Sequence, residues 1–157
     1  MKKKIILICI GTIIALLSLA GCITSPQKES DSNTNSNPPP VQTDKEIFIP
    51  VSNLSTTAKF YSFESEGVII RYFALKDASG NVHIAFNACD VCYEAKKGYR
   101  QNGDLMHCIN CGKEFPITSI GTDNTAGGCW PSYLPMRIDN DTVVIKISDL
   151  KAKSYMF

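Results

Sequence analysis

Hydrophobic residues along the chain fall into three zones with different patterns. An aliphatic run occupies residues 5–19, a polar stretch follows over residues 23–45, and apolar residues then recur in short groups from Ile47 onward. Only the last zone combines enough apolar side chains with turn residues to build a packed core. The pattern therefore predicts one small folded domain over residues 46–157.

Five segments of this domain have the pattern of β-strands. Apolar residues, many of them β-branched or aromatic, run through them, and several are bounded by Gly, Asn, Asp or Ser. The predicted strands are Glu46–Val51, Ala58–Glu64, Gly67–Leu75, Val82–Asn87 and Thr142–Ile147. The turn residues at 77–81 join the third and fourth strands into a predicted hairpin, and Pro50 indicates an edge or a strand end.

Helical periodicity is weak throughout the domain. No window of a dozen residues repeats convincingly at 3.6 residues, and the best helix candidate is the short segment Asp90–Lys97. We therefore predict a mainly β fold in which cysteine-bearing loops and short helical turns are inserted between strands.

The N-terminus has the pattern of a secretion signal. Lys2, Lys3 and Lys4 precede the apolar run, which is shorter than the roughly 20 residues a membrane-spanning helix needs. The run ends in Leu-Ala-Gly-Cys at Cys22, which resembles the lipobox of prokaryotic lipoproteins. We predict a signal peptide over residues 1–21 and a lipid on Cys22. The alternative is an uncleaved anchor; either way, the rest of the chain lies outside the cytoplasm.

The polar stretch after Cys22 predicts a disordered tether over residues 22–45. It is rich in Ser, Asn, Thr and Gln and offers almost nothing apolar to bury. Three consecutive prolines, at 38–40, stiffen its end. Such a spacer would hold the domain away from the lipid surface.

Charged residues are nearly balanced, with 16 Lys or Arg against 15 Asp or Glu. Three of the basic residues belong to the predicted signal peptide, so the mature chain carries two more acidic than basic residues. This composition lacks the bulk positive charge of proteins that bind nucleic acid through phosphates. We therefore expect no nucleic-acid partner.

Five of the seven cysteines lie in the predicted domain, Cys9 and Cys22 being the others. Four of them form two Cys-x-x-Cys pairs, and the fifth follows two glycines. These predicted metal ligands are Cys89, Cys92, Cys108, Cys111 and Cys129. The spacing of the two pairs is typical of metal knuckles, in which each tight turn directs two thiolates at one ion. Soft donors of this kind favour iron, an iron–sulfur cluster, zinc or copper(I) over magnesium and calcium.

Two other interpretations of the cysteines remain open. Exported proteins commonly form disulfides, although two bridges would leave one cysteine over. A thiol-disulfide oxidoreductase would also use Cys-x-x-Cys, but normally a single motif in a βαβ context, which this sequence does not display. The pattern favours metal binding over both. Met106 and His107 directly precede Cys108 and are weaker candidate ligands, while His83 has the pattern of a structural residue.

Residues around the cysteines form further motifs in addition to the Cys-x-x-Cys spacing. They are Ile70-Arg71-Tyr72-Phe73, Gly80, Ala88-Cys89-Asp90-Val91-Cys92-Tyr93, Lys97-Gly98-Tyr99, Gly103, Met106, Cys108, Cys111-Gly112, Phe115, Gly127-Gly128-Cys129-Trp130-Pro131, Asp149-Leu150 and Phe157. Together these motifs resemble the FtrD-like family of membrane iron–sulfur containing proteins, over roughly residues 46–157. Trp130 departs from the asparagine expected there.

The resemblance implies an extracytoplasmic, membrane-attached protein that binds iron or an iron–sulfur cluster, with zinc as the alternative. It further implies a role in electron transfer or metal handling for a membrane iron-transport or redox partner. Other members of the family often span the membrane several times, whereas this sequence predicts a lipid anchor at Cys22. No catalytic triad or phosphate-binding loop is evident, which favours a binding protein over an enzyme, with a thiol-disulfide oxidoreductase as the enzymatic alternative.

Overall fold

The computed structural model describes residues 39–157, which contain three antiparallel sheets and one α-helix. The predicted signal peptide and the predicted lipidation site, Cys22, lie outside the described residues. The strands are β1 Val41–Gln42, β2 Glu46–Pro50, β3 Lys59–Ser65, β4 Val68–Lys76, β5 Val82–Cys89, β6 Tyr99–Asn102, β7 Leu105–Cys108, β8 Glu114–Pro116, β9 Pro131–Tyr133, β10 Arg137–Asp139 and β11 Thr142–Lys146. The α-helix is α1 Ile147–Ala152, and 3-10 turns occupy Val51–Asn53, Tyr93–Ala95, Ile117–Ser119 and Ser154–Met156.

The central sheet has the strand order β3-β4-β5-β9 and is buried on both faces. Side chains alternate between its faces, so Tyr72 and Ala74 of β4 lie in one core while Phe73 and Leu75 lie in another. The same alternation places Cys89, at the end of β5, in the second core. The two cores thus occupy opposite sides of one sheet.

The first core lies between the central sheet and the sheet of order β1-β2-β11-β10. Ile47 and Ile49 of β2 point into it, as does Ile145 of β11, and each is at most 2% exposed. Helix α1 adds Leu150, which is fully buried. This side of the molecule contains none of the five candidate cysteines and stabilises the strand that carries Cys89.

The second core lies beneath the small sheet of order β6-β7-β8. Tyr99, Met106 and Phe115, one from each strand, are buried there, each at most 3% exposed. Cys108 is the last residue of β7 and joins the same core. The small sheet therefore brings the second cysteine pair against the face of the central sheet that carries the first.

The predicted mainly β fold is confirmed, and its hairpin forms between β4 and β5. Other details differ. The predicted helix over Asp90–Lys97 shortens to a single 3-10 turn, because the chain enters left-handed conformation at Lys96, where φ is 52°. Ile147, predicted to end a strand, instead begins α1. Strand β1 lies in the segment predicted as a tether and pairs with β2.

Candidate metal centre

The first cysteine pair follows directly from the end of β5. Cys89 is the last residue of that strand and is 2% exposed, and Cys92 precedes the 3-10 turn Tyr93–Ala95. The Ala95 N–H donates to the Cys92 carbonyl at 3.1 Å, which fixes the turn behind the second cysteine. The strand end and the turn together hold both sulfurs on the side of the second core.

The second pair forms a tight turn at the end of β7. The Gly112 N–H donates to the Cys108 carbonyl at 2.9 Å, and the Cys108 N–H donates to the Lys113 carbonyl at 2.9 Å. Gly112 adopts a φ of 77°, which side chains with a Cβ resist. The turn leaves Cys108 buried and Cys111 exposed to solvent.

Cys129 reaches the first pair through β9. That strand pairs with β5 so that Pro131 lies opposite Cys89, and the Asp90 N–H donates to the Trp130 carbonyl at 3.0 Å. The Asn124 side-chain amide donates to both the Asp90 carboxylate and the Gly128 carbonyl, each at 3.0 Å. The pairing of β9 with β5 and these side-chain hydrogen bonds hold the segment of Cys129 next to the segment of Cys89.

The five sulfur atoms predicted as ligands are gathered in one place. They form two groups of three, in each of which the sulfurs lie within 4.8 Å of one another. One group is Cys89, Cys92 and Cys129, and the other is Cys92, Cys108 and Cys111. Cys129 Sγ also lies 3.5 Å from both Cys92 Sγ and Cys111 Sγ. Three separate loops thus contribute to a single thiol cluster.

The distances between sulfurs in the cluster fit metal ligands and exceed those of disulfides. All five cysteines are free, and the 3.5 Å separations greatly exceed the roughly 2.0 Å of a disulfide bond. Four thiolates around one tetrahedral ion, with bonds of about 2.3 Å, lie about 3.8 Å from one another. The observed separations are close to that value, so the cluster could hold a metal without large movement of the backbone.

An aromatic wall closes the protein side of the thiol cluster. The Phe115 ring makes edge contacts with Tyr99 and Trp130, at centroid distances of 6.0 and 5.3 Å, and Tyr99 packs against Phe73 at 6.2 Å. Cys89 and Cys108 are part of the same buried cluster. The sulfurs therefore face apolar rings on one side and solvent at Cys111 on the other.

The thiols differ in pKa because burial raises the pKa of a thiol and hydrogen-bond donors near the sulfur lower it. At Cys89 burial is the largest single effect and opposes ionisation, but the Tyr99 hydroxyl and nearby backbone amides together outweigh it and lower its pKa to about 7. At Cys111 the Lys113 amide leads in lowering the pKa. Burial raises the pKa of Cys108 to about 11 and also raises that of Cys129. Each Cys-x-x-Cys pair therefore contains a thiol whose pKa is lowered.

The other residues singled out in the sequence lie beside the cluster or away from it. Met106 is fully buried in the second core. His107 contacts Glu114 at 3.4 Å and is in neither sulfur group. His83 lies between the Ile120 carbonyl and Asp77, at 3.0 and 3.1 Å, which accords with the structural role its pattern indicates.

Two features of the site have no signal in the sequence. The bridging amide of Asn124 lies 34 residues from Asp90 and in a loop without a motif. Lys113 places its ammonium 3.5 Å from the Cys129 carbonyl and 5.3 Å from the centroid of the Phe115 ring. Both depend on how the loops meet, which spacing alone does not reveal.

The chain matches the model of a known protein family. The family model described as membrane iron-sulfur containing protein, FtrD-like, matches residues 37–157, which include all five cysteines of the cluster. No curated protein matches the chain. Within residues 39–157, no helix has both the length and the apolar character needed to cross a bilayer.

Proposed function

Because the chain belongs to the FtrD-like family of membrane iron–sulfur containing proteins, we propose that its thiol cluster binds iron, as ions or in an iron–sulfur cluster. Its role is electron transfer or metal handling for a membrane-bound iron-transport or redox system. The proposed ligands are Cys89, Cys92, Cys108, Cys111 and Cys129. The observation that carries this proposal is the convergence of five free thiols from three loops.

The donor set suits iron. Thiolates are the protein ligands of iron–sulfur clusters and of tetrahedral iron, whereas hard ions such as magnesium and calcium prefer oxygen. An iron centre bound here would supply a one-electron couple. The protein supplies what surrounds it: backbone amides directed at Cys89 and Cys108 stabilise negative charge on sulfur.

The cysteines differ in solvent exposure, which indicates the side of the cluster at which electrons would enter or leave. Cys89 and Cys108 are 2% and 1% exposed and face the aromatic wall, whereas Cys111 is exposed to solvent. Apolar rings exclude water from the buried side, which limits loss of electrons to solvent species. A partner would therefore approach from the side of Cys111.

Attachment to the membrane is the remaining part of the proposal. The lipobox at Cys22 and the polar segment over residues 22–45 support a lipid anchor followed by a spacer, with the domain outside the cytoplasm. Such an anchor would keep the thiol cluster within reach of a membrane partner.

A thiol-disulfide oxidoreductase is the second candidate function. It is favoured by Cys111, which is exposed, whose pKa is lowered chiefly by the Lys113 amide, and whose sulfur lies 3.5 Å from that of Cys129. Thiolates of this kind attack disulfides. This function requires turnover by metal-free protein, which the iron proposal does not. A structural zinc module would show neither iron nor turnover.

The test is elemental analysis of the full chain purified without oxygen. We expect stoichiometric iron, with or without acid-labile sulfide, and a visible absorption spectrum from sulfur-to-iron charge transfer. Cys108→Ser should lower the iron content, while His107→Gln, which changes a neighbouring side chain outside both sulfur groups, should leave it unchanged. Zinc in place of iron, or metal-free protein with reductase turnover, would refute the proposal.

A further inference from the structure

Cys92 occupies a special position in the thiol cluster. It is the one cysteine common to both sulfur groups, so its sulfur lies within 4.8 Å of those of Cys89, Cys108, Cys111 and Cys129. The other four belong to one group each, and one contact crosses between the groups, since Cys129 Sγ lies 3.5 Å from Cys111 Sγ. Cys92 is thus the one thiol that both groups share.

From this arrangement we infer that the cluster is a two-metal site in which the Cys92 thiolate bridges the ions. One ion is bound by Cys89, Cys92 and Cys129, and the other by Cys92, Cys108 and Cys111. The inference rests on the proposed function only in using the same ligands, and it specifies their division and the number of ions.

The fold itself separates the two ligand groups. Cys89 and Cys129 belong to segments joined by the pairing of β5 with β9, whereas Cys108 and Cys111 belong to the turn that follows β7. The two groups therefore come from different sheets. Cys92 lies between them, because its loop leaves β5 and leads through the 3-10 turn toward β6.

Charge also favours two ions over one. Five thiolates carry five negative charges, and one divalent ion would leave three of those charges uncompensated. Burying unpaired anions is costly, and Cys89 and Cys108 are almost wholly buried. Two divalent ions leave a single net negative charge, and the Lys113 ammonium lies 3.5 Å from the Cys129 carbonyl. The environment is thus suited to a dinuclear centre.

Cadmium(II) is a suitable probe, because it binds thiolates and its nuclei report on one another through a shared ligand. The full chain, reduced and free of metal, is titrated with cadmium-113 and examined by native mass spectrometry and NMR. We expect two ions per chain and two resonances split by coupling through sulfur. One ion per chain, or two resonances without coupling, would overturn the inference.

Variants separate the roles of the sulfurs. Cys89→Ser and Cys108→Ser form a matched pair, since each should abolish one ion and leave the other group of three intact. Cys92→Ser should abolish the coupling and weaken both ions. Retention of two coupled ions in Cys92→Ser would overturn the bridging role. If Cys92→Ser does not fold, the coupling in the unaltered chain still decides whether the two ions share a sulfur.

The cadmium experiment is independent of the iron experiment. Protein that binds two coupled cadmium ions but is purified with zinc or without metal would refute the proposed iron function and retain the two-metal site. Protein that is purified with iron but binds one cadmium ion would support the proposed iron function and refute the two-metal site.

Discussion

Gly98 joins the two Cys-x-x-Cys segments and offers the sharpest single perturbation of their assembly. Its carbonyl accepts a hydrogen bond from the Ile109 N–H at 3.0 Å, and it adopts a φ of 68°. A Cβ added there would lie 2.5 Å from Asn87 Oδ1 and 2.8 Å from Asn87 Cγ. That same oxygen accepts a hydrogen bond from the buried Tyr99 N–H at 2.7 Å. Gly98→Ala therefore strains the backbone and displaces an amide that is already engaged.

The magnitude follows from these two effects. Left-handed backbone costs an alanine about 1–2 kcal/mol. Displacing Asn87 leaves the Tyr99 N–H unpaired, which costs about 1–3 kcal/mol more because Tyr99 is 3% exposed. We expect Gly98→Ala to lower the free energy of unfolding by about 2–5 kcal/mol in total.

Gly103→Ala is the matched control for Gly98→Ala. Gly103 lies in the same small sheet's hairpin with a φ of 57°, and an added Cβ would have no neighbour within 4 Å. The control isolates backbone strain, so it should cost about 1–2 kcal/mol. Urea denaturation of the reduced, metal-free chain measures both variants. Equal destabilisation by the two variants would refute the argument that Asn87 is displaced.

Three further predictions concern the Asp77 carboxylate, the packing of Phe115 and the hydrogen bond between Asp90 and Asn124. Hydrogen bonds, chiefly from the Asn81 side chain, lower the pKa of Asp77 to about 2, so the ionised carboxylate stabilises the fold above about pH 4 and this contribution is lost as the pH falls toward 2. In a plot of the unfolding midpoint against pH, Asp77→Asn should therefore flatten the slope between about pH 4 and about pH 2. An unchanged slope would contradict this prediction. Phe115→Ala should cost about 3–5 kcal/mol in urea denaturation, against about 1 kcal/mol for the half-exposed Phe60→Ala, and similar losses would show that the wall is not tightly packed. Asp90→Ala removes the carboxylate that accepts a hydrogen bond from Asn124 and so joins the segments of Cys89 and Cys129. The affinity for cadmium, measured by competition, should fall roughly 10-fold or more. An unchanged affinity would exclude this positioning role.

The long strands were predictable because they contain continuous runs of apolar residues, many of them β-branched or aromatic. β4 and β5 are examples, and the turn over residues 77–81 fixes their pairing. The short strands were not predictable. β6, Tyr99–Asn102, is polar apart from Tyr99, and β9 has three residues and begins with proline. Such strands form because the surrounding structure pairs them, and a local pattern does not contain that information.

The cysteines that carry the site could be identified from the sequence because thiols at Cys-x-x-Cys spacing have few uses. Their arrangement could not. Cys129 reaches the first pair only through the pairing of β9 with β5, a contact between segments about 40 residues apart. The position of Cys92 as the common neighbour follows from the stacking of the small sheet on the central one. Neither is visible in the spacing of Cys89 and Cys108.

Iron-edge X-ray absorption of the full chain, purified without oxygen, tests the central claim most directly. The account predicts iron whose nearest neighbours are all sulfur, with signal lost in parallel when Cys89 or Cys108 is replaced by serine. A first shell of oxygen or nitrogen around the iron, or iron content that is unaffected by both substitutions, would contradict the claim that this thiol cluster is the metal site.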